Sequence, residues 1–314
     1  MHAIGIDIGG TKIAGGLVDS DGNIVREARV PTPSTDPDAI VAAVVALVDE
    51  LSADSEVIGV GVAAAGFVDA ARENIVYAPN LSWRNEPFKA KLEAKLKYPV
   101  IIENDARAAG WAEFQYGAAK SATHMILLTI GTGVGGAVVS NSQLQRGKFG
   151  FAGELGHVRM VPGGLLCGCG QLGCIEQYGS GTALLRNARD LVKSGSPKAL
   201  RLAELQAAAG ELTGKEVYQA ISEGDLAALE LLAELGSWLG QAIATLCAAI
   251  DPEVVVISGG VSEAGDLLLD PIRESYLKHL PAADYRPKLQ IVPARFLNDA
   301  GVIGVADLVR VALS

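Results

Sequence analysis

The chain has 314 residues, 49% of them hydrophobic, and a formal net charge of −10. That length can hold two domains with real cores, and the acidic balance argues against a nucleic-acid-binding surface. The opening MHAIGIDIGG has no basic stretch leading into an apolar run and a cleavage site, so it reads as a first strand and not as a secretory leader.

HAIGIDIG, TKIAGGLVD and NIVREARV read as three strands, the last two joined at Asp21-Gly22. A helix follows, with Pro37 in its first turn and an apolar face of Ile40, Val41, Val44, Val45, Leu47, Val48 and Leu51. EVIGVGVAAAG is a buried strand, residues 86–97 are helical, PVIIEND is a strand and ARAAGWAEFQYG a helix. The pattern then restarts. HMILLTIG is a strand, GTGVGG a turn, GAVVSN a strand, and QLQRG begins a third. After a glycine- and cysteine-rich loop comes a long helical region, roughly 175–250. EVVVISGG is a strand, 265–279 a helix, KLQIVPA a strand and 299–312 the last helix.

The longest run without Asp, Glu, Lys or Arg, Ser121 to Gln145, has the length of a membrane span. GTGVGG interrupts it, so two strands and a glycine turn are expected there, with no membrane partner and a cytoplasmic location. Two halves that each open on antiparallel strands and continue with alternating helix and strand predict an α/β fold with a duplicated core. The expected boundaries are 1–117 plus 299–314 for a smaller, discontinuous domain and 118–298 for a larger one. Hinges are expected near Gly117 and Asn298.

Three of the four cysteines, Cys167, Cys169 and Cys174, crowd one loop, and His157 precedes them. Clustered thiols in a reducing compartment more often bind metal than form disulfides. One imidazole and three thiolates make a closed tetrahedral zinc set, structural and not catalytic because protein fills every position. The spacings C-x-C and C-x4-C do not suit a redox pair. Cys247, in the apolar run WLGQAIATLCAAI, reads as core packing.

Each half carries a glycine turn between its first two strands: Asp7-Ile8-Gly9-Gly10-Thr11-Lys12, and Gly131-Thr132-Gly133-Val134-Gly135-Gly136. Backbone N–H groups in such turns can reach an anion. Thr11 and Thr132 can donate to phosphate oxygens, and Lys12 can offset their charge. Gly259-Gly260 ends a strand, where α/β sheets receive ligands. Neither turn is a P-loop or a dinucleotide fingerprint. Two such turns in equivalent halves imply a nucleotide held in a cleft between domains.

Glu103-Asn104-Asp105 closes the strand PVIIEND. Asp105 can take a proton from an attacking hydroxyl, and Asn104 can hydrogen-bond the same molecule. The competing reading is that Asp105 merely caps the next helix. Glu154, His157 and Glu176 bracket the cysteine loop, where a fixed backbone would aim them at a polyhydroxylated ligand. His157 could use one ring nitrogen for zinc and the other for a hydroxyl.

Together these residues resemble the ROK family (repressor, open reading frame, kinase). The motifs are DIGGTK at 7–12, END at 103–105, IGTGVGG at 130–136, GELGH at 153–157, CGCGQLGCIE at 167–176, ISGGVS at 257–262 and NDAGVIGVA at 298–306. The resemblance covers nearly the whole chain. It implies the actin-like, ribonuclease-H-like ATPase fold, and phosphorylation of a sugar by ATP–magnesium with Asp105 as base. It also implies Gly66, Asn80, Asn104, Glu154, His157 and Glu176 as sugar ligands, and a homodimer or homotetramer. PNLSW at 79–83 is most similar to the glucose-phosphorylating members, the actinobacterial type above all, so glucose 6-hydroxyl transfer is the expected activity. Arg107 departs from the pattern, standing where many relatives carry a smaller amide.

The alternatives are another hexose substrate (N-acetylmannosamine, N-acetylglucosamine, fructose or mannose) or a sugar sensor without catalysis. Pocket shape, which sequence shows poorly, decides among the sugars. A repressor would need a DNA-binding helix-turn-helix before Asp7, where only six residues stand. Relatives that use polyphosphate generally lack the cysteine knot, which favours ATP.

Overall fold

The computed structural model describes residues 1–78 and 81–313. In chain order the strands and helices are β1 (His2–Ile8), β2 (Lys12–Val18), β3 (Ile24–Pro31), α1 (Pro37–Ser52), β4 (Val57–Ala64), β5 (Phe67–Val68), β6 (Ile75–Tyr77), β7 (Arg84–Glu86), α2 (Phe88–Glu93), β8 (Val100–Asn104) and α3 (Asp105–Gln115). There follow β9 (Met125–Ile130), β10 (Val134–Ser140), β11 (Gln143–Leu144), α4 (Glu176–Gly179), α5 (Gly181–Lys193), α6 (Leu200–Ala209), α7 (Gly214–Ser222) and α8 (Leu226–Ile250). The chain closes with β12 (Val254–Ser258), α9 (Asp266–His279), β13 (Gln290–Pro293) and α10 (Ala300–Leu313).

Two five-stranded sheets share one plan. The orders are β3-β2-β1-β4-β8 and β11-β10-β9-β12-β13, the same sequence of positions in each half. In the first, β1–β2 and β2–β3 are antiparallel while β1–β4 and β4–β8 are parallel. The parallel strands β1, β4 and β8 are buried along most of their length, as parallel strands covered on both faces must be. This is the duplicated actin-like fold.

By contacts the chain forms two compact units. One comprises 1–127, 136–153 and 294–314, the other 128–135 and 154–293. In the first, α1 begins at Asp36, whose side chain accepts from the backbone N–H of Asp38 and Ala39 at 3.0 and 3.1 Å. Pro37 then costs no hydrogen bond at the first helical position. Its apolar stripe, Ile40, Val41, Val44, Leu47, Val48 and Leu51, is buried in the core. The last helix, α10, runs backbone to backbone over β1 and α3. A Cβ on Gly5 would lie 2.0 Å from the Val302 carbonyl oxygen, and one on Gly304 1.8 Å from that of Ala108. Any larger side chain at either position would force the elements apart.

In the second unit α8 is buried along one face, Cys247 included. It is long and apolar enough to cross a membrane, but 56% of its most apolar window is buried inside the fold. Ser121 to Gln145 instead forms β9, β10 and β11, as its glycine interruption predicts.

Three local expectations change. Residues 86–97 are not one helix, because Arg84–Glu86 pairs with β6, Pro87 ends that strand, and only 88–93 coil. The antiparallel sheet β5-β6-β7 was not foreseen; strands of two and three residues show no period. The second glycine turn is shorter than drawn: β10 begins at Val134, so Gly135 and Gly136 are strand residues.

Candidate active site

In the first unit the END motif sits where β8 becomes α3. Asn104, not Asp105, caps the helix, its Oδ1 accepting from Arg107 N at 3.0 Å. The Asn104 amide donates to Gly66 O at 3.2 Å and to Asp105 Oδ1 at 2.9 Å. Asp105 is the first helical residue, and the same Oδ1 accepts from Ala106 N at 2.9 Å. One carboxylate oxygen is thus fixed, while Oδ2 makes no hydrogen bond among the described residues. Burial raises the Asp105 pKa, with the helix amides and Arg107 opposing it. The helix-cap reading therefore passes to Asn104 and leaves Asp105 available for chemistry.

Asp7 lies one residue before the end of β1, and burial followed by the charge of Asp105 pushes its carboxyl up to about 7, Lys12 opposing. A Cβ on Gly301, in the first turn of α10, would come within 2.8 Å of Asp7 Oδ2, so this glycine leaves room for the carboxylate. The turn beyond is tied by Gly9 N to Lys12 O at 3.0 Å and by the Thr32 hydroxyl to Gly9 O at 2.8 Å. Gly10, Thr11 and Lys12 are exposed. Asn80 lies outside the described residues.

Arg107 is buried, its Nε 2.9 Å from Glu103 Oε1 and its Nη1 donating to Gly150 O and Ala152 O at 2.5 and 3.3 Å. Arg146 Nε holds the other Glu103 oxygen at 2.6 Å. The departure at position 107 therefore anchors the 146–152 segment.

In the second unit, Gly131 N donates to Gly133 O at 3.0 Å, closing the short turn, and Gly181 N donates to Gly131 O at 2.8 Å. The Thr182 hydroxyl donates to Thr132 O at 2.6 Å. Gly259 adopts φ +87°, a left-handed conformation, and a Cβ there would meet Ile130 O at 2.5 Å. Beside these turns lies a cavity of about 620 Å³, lined by Thr132, Thr182, Val217, Tyr218, Ile221 and Gly260 among others. Its lining combines glycine turns and hydroxyls with apolar side chains from α5, α7 and α8, a mixture that suits a nucleotide. Sequence reading missed the α5 and α7 walls, whose only signal is the amphipathic spacing of Val217, Ala220 and Ile221.

His157, Cys167, Cys169 and Cys174 place their donor atoms within 4.8 Å of one another. His157 Nδ1 is 3.6 Å from Cys167 Sγ, and Cys169 Sγ is 3.6 Å from Cys174 Sγ. Tetrahedral zinc with Zn–S bonds of about 2.3 Å needs sulfur–sulfur edges of about 3.7 Å, so the set fits. Burial and the two neighbouring thiols push Cys174 up to about 12, so these thiols need a cation to ionise together. All four cysteines are free.

Glu176 begins α4. Its Oε2 accepts from Val134 N at 3.0 Å, and its Oε1 accepts from Cys167 Sγ at 3.5 Å. It thereby ties the thiol loop to the second glycine turn. A Cβ on Gly133 would fall 2.3 Å from Glu176 Oε2, so glycine is needed there for this tie. Glu154 immediately precedes the short turn 155–157 that carries His157.

A duplicated actin-like fold with a glycine turn in each half and an aspartate at a strand end defines a phosphotransferase of the sugar-kinase class. The chain belongs to the ROK family, whose model matches residues 3–312. It is 45% identical over 312 residues to the glucokinase of Streptomyces coelicolor, covering 98% of this chain and 97% of that one. It is 34% identical to the N-acetylmannosamine kinase of Escherichia coli, covering 99% of both. Among solved structures, a ROK family glucokinase from Streptomyces griseus in complex with glucose and AMPPNP superposes with a TM-score of 0.88 at 42% identity, covering 99% of each chain.

Proposed function

We propose that the protein is an ATP-dependent glucokinase, transferring the γ-phosphoryl group of ATP to the 6-hydroxyl of glucose. The observation that carries this reading is Asp105: one oxygen pinned at a helix N-terminus, the other open, the pKa raised toward that of a useful base. The Asp105 carboxylate takes the 6-hydroxyl proton as that oxygen bonds to the γ-phosphorus. The bond from γ-phosphorus to the β,γ-bridging oxygen breaks, and ADP leaves. Asn104 holds Asp105 in place. Gly66, Asn80, Asn104, Glu154, His157 and Glu176 are the proposed sugar ligands, with His157 free to use Nε2 because Nδ1 faces the thiols.

The 620 Å³ cavity takes the adenosine. The amides of Gly131, Gly133, Gly259 and Gly260, with Thr132, take phosphates, and Gly9, Gly10, Thr11 and Lys12 form the matching turn of the first unit. Magnesium, when bound, neutralises phosphate charge, and Asp7 is the carboxylate placed to favour it. Zinc, when bound by His157, Cys167, Cys169 and Cys174, fixes the loop that carries His157 and Glu176. A cytoplasmic homodimer or homotetramer accords with the family.

The deciding experiment is a coupled ADP-release assay with ATP–magnesium over glucose, mannose, fructose, N-acetylglucosamine and N-acetylmannosamine. Preference for glucose is expected, in line with the higher identity to glucokinase. Preference for N-acetylmannosamine would move the specificity and keep the mechanism. No turnover with any sugar would overturn the kinase reading.

A further inference from the structure

Away from the residues above, the first unit holds a second cavity, of about 350 Å³. Arg72, Arg146, Ser142 and Gln143 supply its polar lining, Trp111 and Val311 part of its apolar wall, and no Asp or Glu lines it.

The charged groups around it are unevenly engaged. Glu103 is fully buried and shared between Arg107 and Arg146 at 2.9 and 2.6 Å. Asp307, behind Trp111, accepts from Trp111 Nε1 at 2.8 Å and from the Tyr116 hydroxyl at 2.5 Å, and pairs with Arg310 at 3.5 Å. Glu103 and Asp307 are thus engaged by Arg107, Arg146 and Arg310, while Arg72 forms no ion pair among the described residues. Arg72 is partly buried, stands at φ +58°, and makes no side-chain hydrogen bond or ion pair among the described residues. Burial, and then the charge of Arg146, hold its guanidinium below the usual value. Arg146 spends only Nε on Glu103, and its terminal nitrogens carry no bond among the described residues.

We propose that this cavity is a binding site for a small phosphate-bearing metabolite. The phosphate sits between the Arg72 and Arg146 guanidiniums, and the organic part lies against Trp111 and Val311. Two planar donor forks suit the several oxygens of a phosphate. A phosphate drawing on Arg146 competes with Glu103, the residue before Asn104-Asp105, so occupancy has a path to the END motif.

The test is calorimetric titration of the full-length protein with inorganic phosphate at constant ionic strength, with acetate as a second titrant. Saturable phosphate binding is expected, weakened about tenfold or more in Arg72→Gln and unchanged in Lys12→Gln. Each variant is checked for native circular dichroism. Ser142→Asp, which puts a carboxylate in the cavity at an exposed turn position, gives an independent route to the same loss. Binding that survives Arg72→Gln and Ser142→Asp, or that Lys12→Gln abolishes, would place phosphate elsewhere and overturn the proposal. Acetate binding as tight as phosphate would overturn the phosphate assignment.

Discussion

At the scale of single residues, two buried acidic groups, Asp105 and Asp7, respond to the same surroundings. Asp105→Asn keeps the hydrogen bonds from Asn104 and Ala106 within reach but removes the proton acceptor. Turnover should fall by about 10²–10⁴ while circular dichroism and glucose affinity hold; near-normal kcat would exclude Asp105 as the base. Asp7 makes a separate prediction about stability. Its pKa rises from 3.8 to about 7 on folding, so between those values the folded chain keeps a proton that the unfolded chain has released. Its contribution is therefore full below the unfolded pKa and lost as pH rises through 7. Urea denaturation of apo protein at pH 5 and pH 8 should show this loss, on the order of a few kcal/mol, and Asp7→Asn should flatten it. An unchanged slope in the variant would refute the assignment. The END motif and the glycine turns named these residues; that Asn104 does the capping depended on which side chain reached Arg107 N.

Elements were legible where their pattern was long. The α1 stripe, the buried strands and the restart at β9 follow from periodicity, whereas β5, β6 and β7 are too short to show one. The packing of α10 makes a test at this scale. Gly304→Ala would set a methyl group 1.8 Å from the Ala108 carbonyl oxygen, and backbone cannot yield as a side chain can. A loss of about 1–3 kcal/mol in unfolding free energy is expected, with a lower melting temperature. Wild-type stability would mean that α10 and α3 are not in backbone contact. The thiol loop makes another. Cys169→Ser, or chelation, should remove the metal, measured by elemental analysis, and weaken glucose binding through loss of the framework behind His157 and Glu176. Because Glu176 also holds Val134 N, a smaller loss of nucleotide affinity should accompany it. Metal-free protein with unchanged glucose affinity would refute the positioning role.

For the whole molecule, the repeated sheet order is the strongest mark of its class, since five strands in one order twice over is a duplicated plan. A ligand that binds only the folded state stabilises it by mass action. Glucose at about 100 times its Kd should add about 2.7 kcal/mol and raise the melting temperature, and an ATP analogue with magnesium should do so independently. No shift with glucose would refute sugar binding whatever the fate of the nucleotide.

The sequence by itself determined the histidine–cysteine cluster, the glycine turns, the strand-end aspartate and the restart of the fold. Each is written in residues close together in the chain, where spacing alone fixes the chemistry. Tertiary structure decided what distant residues build together. Arg107 and Arg146 share Glu103 across about forty residues, and Glu176 reaches back to Val134. The walls of both cavities come from helices and turns far apart in the chain. Such contacts have no local pattern, because they exist only once the packing of sheets and helices has set which side chains share a space.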